Sequence, residues 1–534
     1  MHSHSRKNSD LQGINVTEGT GHSPPTLAHT FSATLLGIEG VTVQVEAIRQ
    51  PSLPKIVLTG LPNEVVKEST ERVRGCLAGV GFLVPRDRIV VQLLPAEVRK
   101  QGSQMDLAIA LSVLAVEGYL EGATLKRRAF LGELALNGQL KRASGALALA
   151  QALLLVPGLE VLIVPEENAR ELSLIGDARI HSAAHIGEVI DSLRLKKVLR
   201  PVADGGPTPT ENDHRDDLTW APPCSGQQLA KRALQIALSG HHHLLLVGSP
   251  GVGKSLLARL APLLAPPLLR EEWLDVVKTH WRQKTPAYGR IPFRSPHHSI
   301  SASAFLGGGT GQVYPGEVSL AHHGILFMDE LPEFRRDILE GLREPLESGE
   351  IDLSRVGLSV RLPARFLLVA AMNPCPCGYA LSSQLPCRCT SEAKRRYQRR
   401  LSGPIFDRLD MCVILDEPLH HASQFQFKES PCEYEPLCHS IGEARKRQQA
   451  RYCPTPMANG YAIPSAFPLS FMLQDDVAQY VESVANEKRL SHRGLQKWFR
   501  LARTVADLDN RDALTKEDFM ETDLLRCDRF IFEP

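Results

Sequence analysis

Residues 244–255 read Leu-Leu-Leu-Val-Gly-Ser-Pro-Gly-Val-Gly-Lys-Ser. Four consecutive apolar residues suit a strand buried on both faces, and the apolar spacing resumes from Lys254 with a helical period. Between them lies the glycine-rich pattern of a phosphate-binding loop, in the strand-before, helix-after context that gives the pattern its meaning. Gly248, Ser249, Pro250, Gly251, Val252 and Gly253 form the loop. Its backbone N–H groups can wrap a phosphate chain at a helix N-terminus, where the peptide dipoles favour an anion. Lys254 is placed to reach the terminal phosphates and Ser255 to offer a hydroxyl to Mg²⁺. A chance glycine loop would not need this context.

Two further strands extend the pattern. Residues 325–328 are Ile-Leu-Phe-Met, followed by Asp329 and Glu330. A carboxylate at such a strand end can hold a metal ion, and the next one can polarise an attacking water, so the pair points to hydrolysis as well as binding. Phe366 to Ala371 forms another apolar run, ending in Met372-Asn373, where the Asn373 amide can orient the same water. Helices alternating with apolar strands predict an α/β core with a parallel sheet.

At 534 residues the chain exceeds one hydrophobic core. Its 43% hydrophobic and 23% charged residues are those of a globular protein, and a net charge of +1 argues against coating nucleic acid by bulk charge while leaving a local basic channel open. Residues 1–30 read as a disordered polar tail without the apolar run of a secretory signal, and the apolar stretch 146–165 is interrupted by Gln151, Pro157-Gly158 and Glu160. No membrane span is expected, and the expected compartment is the cytoplasm. Short strands around Val41–Val45, Lys55–Thr59 and Arg88–Leu93, alternating with helices near 62–80 and 104–117, predict a front α/β domain over 31–196. A Pro- and Gly-rich linker is expected at 197–223, an ATPase core at 224–420, and a helical lid domain at 421–534 with helices near 436–451, 474–487, 491–508 and 515–526.

Five segments carry a family resemblance: Arg294-Ser-Pro-His-His298, Pro315-Gly-Glu-Val-Ser-Leu-Ala-His322, Phe327-Met-Asp-Glu-Leu-Pro-Glu333, Leu342-Arg-Glu-Pro-Leu-Glu-Ser-Gly-Glu350 and Leu401-Ser-Gly-Pro-Ile-Phe-Asp-Arg-Leu-Asp410. With Gly60-Leu-Pro62 and Val66-Lys-Glu-Ser69, they resemble the magnesium-chelatase-like AAA+ ATPases of the ComM/YifB type over roughly residues 31–526. The resemblance implies a P-loop core of the clade that includes the minichromosome-maintenance helicases. It implies an ATP- and Mg²⁺-dependent ring, a homo-hexamer, that moves along or remodels single-stranded or branched DNA. The setting it implies is recombination of incoming DNA during natural transformation, beside recombination proteins. The alternative class is a magnesium-chelatase-type or protein-remodelling ATPase. By the same match Asn373 is the first sensor, Arg408 the finger that enters a neighbouring subunit's site, and Arg493, in Leu490-Ser-His-Arg-Gly494, the second sensor.

In this family the front domain resembles the peptidase domain of Lon, whose chemistry needs a Ser–Lys pair. Here Gln104 stands at the nucleophile position, Ser103 one residue early, and Leu147 where the lysine would be, so an inactive protease-like fold is expected. Among the eleven cysteines, Cys375-Pro-Cys377 and Cys387-Arg-Cys389 form two close pairs. Tetrahedral Zn²⁺ and four reduced thiols stand as alternative readings. For DNA, the candidates are the basic segment Lys394–Arg400, the Phe305-Leu-Gly-Gly-Gly309 loop, and a strand–turn–strand from Ile351 to Leu362 with Arg355 and Arg361. For the basic segment the preferred reading is a solvated face at a subunit interface, leading into Arg408. The His doublets at 297–298 and 322–323 read as structural.

Overall fold

The computed structural model describes residues 27–83, 85–202, 227–282, 291–309, 313–355, 358–401, 403–415, 434–453, 457–462 and 473–527. Most of the expected tail and linker, together with the start of the lid domain, lies outside the described residues. The chain divides into two compact units, the first running to residue 207 and including 281–284, the second holding the rest. No helix among the described residues is long and apolar enough to cross a membrane.

The front unit is built on an eight-stranded mixed sheet. Its strands are β1 (Ala28–Leu36), β2 (Glu39–Gln50), β3 (Lys55–Thr59), β4 (Arg88–Leu94), β5 (Arg128–Phe130), β6 (Val161–Pro165), β7 (Ile180–Ala183) and β8 (Arg200–Pro201), in the order β8-β7-β6-β5-β1-β2-β4-β3. Pairing carries the unit past its expected limits at both ends. β1 starts at Ala28, three residues before Phe31, because Ala28 pairs with Ala47, and β8 adds an edge beyond Lys196 by pairing Arg200 with Ser182. Helices α1 (Glu64–Gly79), α2 (Asp106–Val116) and α3 (Ala146–Leu154) accompany the sheet. α2 is buried along its whole length, which explains a sequence that is apolar apart from Asp106 and Ser112.

The second unit opens with helix α4 (Gln228–Gly240) and holds a five-stranded sheet in which every pairing is parallel: β9 (Leu244–Val247), β10 (Phe293–Arg294), β11 (Ile325–Met328), β14 (Leu367–Met372) and β15 (Met411–Ile414), in the order β10-β11-β14-β9-β15. A two-stranded ribbon, β12 (Glu350–Arg355) with β13 (Leu358–Pro363), precedes β14. Alternation along the strands supplies two separate cores. Leu244, Leu246, Val369 and Ala371 join one cluster, while Leu245, Val247, Leu368 and Ala370 join the other. That two-sided burial is why these strands read as continuous apolar runs.

Register then places the site. Val247 pairs with Met372, and Met328 with Ala370, so Gly248, Asp329 and Asn373 all leave the same carboxyl edge of the sheet. This edge is where open α/β sheets bind ligands.

The described part of the C-terminal region is helical: α9 (Glu435–Arg451), α10 (Asp475–Glu487), α11 (His492–Leu508) and α12 (Lys516–Leu525). Trp498 of α11 stands edge-on to Phe519 of α12 with ring centroids 5.2 Å apart, and its indole N–H donates to the Phe519 carbonyl at 3.0 Å. This satisfies the polar end of a fully buried aromatic.

Candidate functional site

The turn after β9 has left-handed backbone at Gly251 (φ 82°) and Gly253 (φ 101°). A Cβ at either position would meet no atom within 4 Å, so backbone conformation, not crowding, requires glycine there. Helix α5 (Lys254–Leu264) begins directly after Gly253 with no side chain capping its N-terminus. Its first N–H groups therefore have no side-chain acceptor, which is the arrangement that suits a bound phosphate.

Lys254 is folded into the loop. Its Nζ donates to the Gly248 carbonyl at 2.7 Å, the Ser249 carbonyl at 2.9 Å and the Asn373 side-chain oxygen at 3.0 Å. All three ammonium protons thus have acceptors. Burial pulls the lysine below its usual pKa, opposed by the nearby carboxylates of Asp329 and Glu330. The Ser255 hydroxyl donates to Asp329 Oδ2 at 2.7 Å, and the Glu330 N–H donates to Asp329 Oδ1 at 3.0 Å. Serine and aspartate oxygens side by side form a donor set suited to a hard divalent cation such as Mg²⁺. Glu330 sits in left-handed backbone (φ 51°). Its side chain is 55% exposed, and His298 Nδ1 lies 3.4 Å from Oε2. Strain in a non-glycine residue costs of order 1–3 kcal/mol and persists where the surroundings enforce it.

The loop, Lys254, Ser255, Asp329, Glu330 and Asn373 therefore converge. Arg408 and Arg493 converge elsewhere, on a residue the sequence did not single out. Glu347 Oε1, from α7 (Arg343–Ser348), is 2.5 Å from an Arg408 guanidinium nitrogen and 3.3 Å from one of Arg493. Arg408, then Arg493, hold the Glu347 carboxyl below the usual range. Its signal in the sequence was an acidic residue inside a family motif, with nothing to name its partners.

The four cysteines form a compact set. Cys375 Sγ is 3.4 Å from Cys377 Sγ and 3.7 Å from Cys387 Sγ, and the sulfurs of Cys377 and Cys387 are 3.6 Å apart. The Cys377 N–H points to the Cys389 sulfur at 3.4 Å. Sulfurs at zinc–thiolate distances of about 2.3 Å in a tetrahedron stand at about this separation. Backbone N–H groups of Tyr379 and Arg388 pull the Cys377 thiol down to about 6. Burial, with hydrogen bonds that the Cys375 thiol donates to Cys377 and Cys387, pushes Cys375 up to about 12.

The second His doublet has a third neighbour that the sequence concealed. Asp275 of α6 (Arg270–Thr279) approaches His323 Nε2 at 3.5 Å and groups with His322. Yet Asp275 is also paired with Lys278 at 3.0 Å, and His322 Nδ1 accepts the Arg365 N–H at 3.0 Å. These groups thus take part in ion pairs and hydrogen bonds of the fold.

Two DNA candidates change character. Phe305 is fully buried, because Ser301 caps the short helix Ala302–Leu306 and turns the ring into the core. Tyr397 of α8 (Ser391–Arg399) is likewise buried, so the basic helix offers no aromatic platform there. Two cations of the basic segment are also paired, Arg396 with Glu392 and Arg400 with Glu333. The ribbon forms as expected. Its Arg361 is exposed and pairs with Glu350 and Asp352, while the Arg355 side chain lies outside the described residues. In the front unit, the Ser103 hydroxyl donates to a Glu133 carboxylate oxygen. Gln104 is buried, donating to the Gln101 carbonyl at 2.7 Å, and Leu147 is buried in α3.

A family model described as magnesium chelatase, subunit ChlI, matches residues 223–422. A second, described as subunit ChlI of Mg-chelatase, matches 45–168 in the front unit, and a third, its C-terminal part, matches 435–526. The chain is 36% identical to YifB of Salmonella typhimurium over 513 residues, covering 93% of this chain and 96% of that protein. It is 34% identical to the competence protein ComM of Haemophilus influenzae over 508 residues, with the same coverage of 93% and 96%. The magnesium-chelatase 38 kDa subunit of Cereibacter sphaeroides is 30% identical, over only 28% of this chain and 51% of its own length.

Proposed function

The chain belongs to the magnesium-chelatase-like ComM/YifB family of AAA+ proteins, and on that premise we propose that it is an ATP-hydrolysing motor that remodels DNA. The observation that carries the hydrolytic part is the convergence of Lys254, Ser255, Asp329 and Asn373 at one sheet edge, with Glu330 beside them. In this reading the loop amides and Lys254 hold the phosphates, and Ser255 and Asp329 hold Mg²⁺. When bound, Mg²⁺ neutralises charge on the phosphate oxygens. Glu330 takes a proton from the attacking water, and Asn373 orients that water. Arg408 serves a neighbouring subunit in a homo-hexamer, and Arg493 acts as second sensor.

The DNA part rests on near-full-length likeness to ComM, whose name is that of a competence protein. The proposed setting is cytoplasmic recombination of incoming DNA, by helicase action or branch migration alongside recombination proteins. The front domain is proposed to keep a Lon-like fold without peptidase action, in keeping with a Ser103 paired to a carboxylate and a leucine at the lysine position. A chelatase-type or protein-remodelling motor is the second reading. It is favoured by the ChlI descriptions of all three family models, one of which covers the front unit, and opposed by the short match to the chelatase subunit itself.

The test is a labelled four-way junction with purified protein, ATP and Mg²⁺. Strand products are expected only during turnover, and DNA should speed hydrolysis. Binding should weaken steeply with salt and depend little on base sequence, as phosphate contacts dictate. Hydrolysis without binding to any junction, fork or single strand at low salt would move the assignment to the second reading.

We also propose that Cys375, Cys377, Cys387 and Cys389 hold a structural zinc. Elemental analysis should find about one zinc per chain, lost in the Cys375→Ser/Cys387→Ser double variant. Metal-free protein of full activity would leave four reduced thiols as the correct reading.

A further inference from the structure

The four-cysteine loop lies against the phosphate loop. Gly378, between the two cysteine pairs, has left-handed backbone (φ 85°), and a Cβ there would stand 2.6 Å from Pro250 Cδ and 2.7 Å from Pro250 Cγ. Contacts that short exclude any side chain, so the loop backbone seats directly on the ring of Pro250. Pro250 follows Ser249, whose carbonyl accepts a hydrogen bond from Lys254. A displacement of the proline is therefore felt one residue from the lysine's acceptor.

The same loop is tied to the site at both of its ends. Asn373, which accepts from Lys254 at 3.0 Å, precedes Cys375 by two residues. On the other side, Thr390 follows Cys389 directly and caps α8, accepting from the Ala393 N–H at 3.2 Å. The buried Tyr397 hydroxyl of that helix returns to the backbone of Asn373. The segment from Asn373 through the cysteines to Tyr397 thus closes on itself and presses its middle on the phosphate loop. It contains no regular secondary structure between residues 373 and 390. A segment of this kind lacks a backbone ladder, so cross-links must offset its conformational entropy.

We propose that this loop is a brace: metal held by the four cysteines keeps Gly378 on Pro250 and Asn373 on Lys254, and so sets the affinity of the nucleotide site. The proposal rests on the nucleotide and zinc readings above, and it adds a positioning role for Gly378 and Pro250 that neither reading contains. Metal loss frees the loop, Pro250 loses its backstop, and the carbonyl cradle of Lys254 loosens.

The experiment uses the full chain. Zinc content is measured by elemental analysis, and a fluorescent ATP analogue is titrated into zinc-loaded and chelator-stripped protein. Stripping is expected to weaken nucleotide binding by about tenfold, a modest fraction of the coupling available to a structural metal. Zinc readdition should restore it. Pro250→Ala, which leaves every cysteine in place, should retain zinc and make nucleotide affinity less sensitive to the metal than in wild type, because only the Asn373 arm then remains. Zinc-bearing wild-type protein whose affinity is unchanged on stripping would overturn the brace while leaving both underlying readings intact. So would a Pro250→Ala variant that stays as zinc-sensitive as wild type. Protein purified without zinc would sink the brace together with the zinc reading, and absence of binding by the zinc-loaded protein would sink it with the nucleotide reading. If stripping unfolds the chain, seen by circular dichroism, the zinc-loaded Pro250→Ala variant decides: wild-type affinity there overturns the brace.

Discussion

Lys254→Ala should abolish nucleotide binding, whereas Glu330→Gln should bind ATP and fail to turn it over. The two residues stand at the same sheet edge but do different things. Lys254 Nζ already bonds the Gly248 and Ser249 carbonyls and the Asn373 amide, so it organises the loop as well as offering charge to a phosphate. Removing it takes away both. Glu330 touches none of those groups. Its carboxylate is half exposed and 3.4 Å from His298, placed to meet water. Changing it to glutamine keeps the shape and removes the base, an effect of about 10²–10⁴ in rate.

Lys254→Ala should leave thermal stability close to wild type. The lysine is a buried charge whose desolvation offsets much of what its hydrogen bonds contribute. A fluorescent-nucleotide titration and a phosphate-release assay separate the two variants, with the melting temperature guarding against misfolding. Equal, near-normal hydrolysis in both would remove the site assignment.

The phosphate loop and the two following strands were legible because their chemistry is local. A strand, a turn and a helix start carry their signals within a dozen residues, and parallel register then brings Gly248, Asp329 and Asn373 to one edge without any further information. The strand β15 (Met411–Ile414) was not legible, being four residues that pair with β9 at a sequence distance no periodicity spans. The burial of Tyr397 and Phe305 went unseen for a related reason. Each stands near residues suited to DNA, a basic run and a glycine loop, yet each lies on the apolar side of a short helix. For Tyr397 a signal existed: Ala393, Tyr397 and Leu401 recur at four-residue spacing, the stripe of a buried helix face. Glu347 had no such signal. A carboxylate that joins Arg408 and Arg493 can be found only when all three are placed in space.

That junction frames the remaining large effect. Arg408→Ala subunits should bind ATP but hydrolyse it roughly 10³–10⁵ times more slowly, the range for a finger that meets charge spreading over phosphoryl oxygens. In one chain the Arg408 side chain is only 7% exposed and is held 2.5 Å from Glu347, so its direction is set before any neighbour arrives. A preset guanidinium loses little conformational freedom when it meets a phosphate across an interface. If it acts there, mixing Arg408→Ala with Lys254→Ala subunits should restore part of the hydrolysis that neither variant shows alone. Some interfaces then pair an intact phosphate loop on one subunit with an intact arginine on the next. The assay is phosphate release from rings whose mixed composition is verified by co-purification of two tags. No recovery in verified mixed rings would place Arg408 in its own subunit's site or in none, because a residue acting within one chain cannot be supplied by a neighbour that lacks only the lysine.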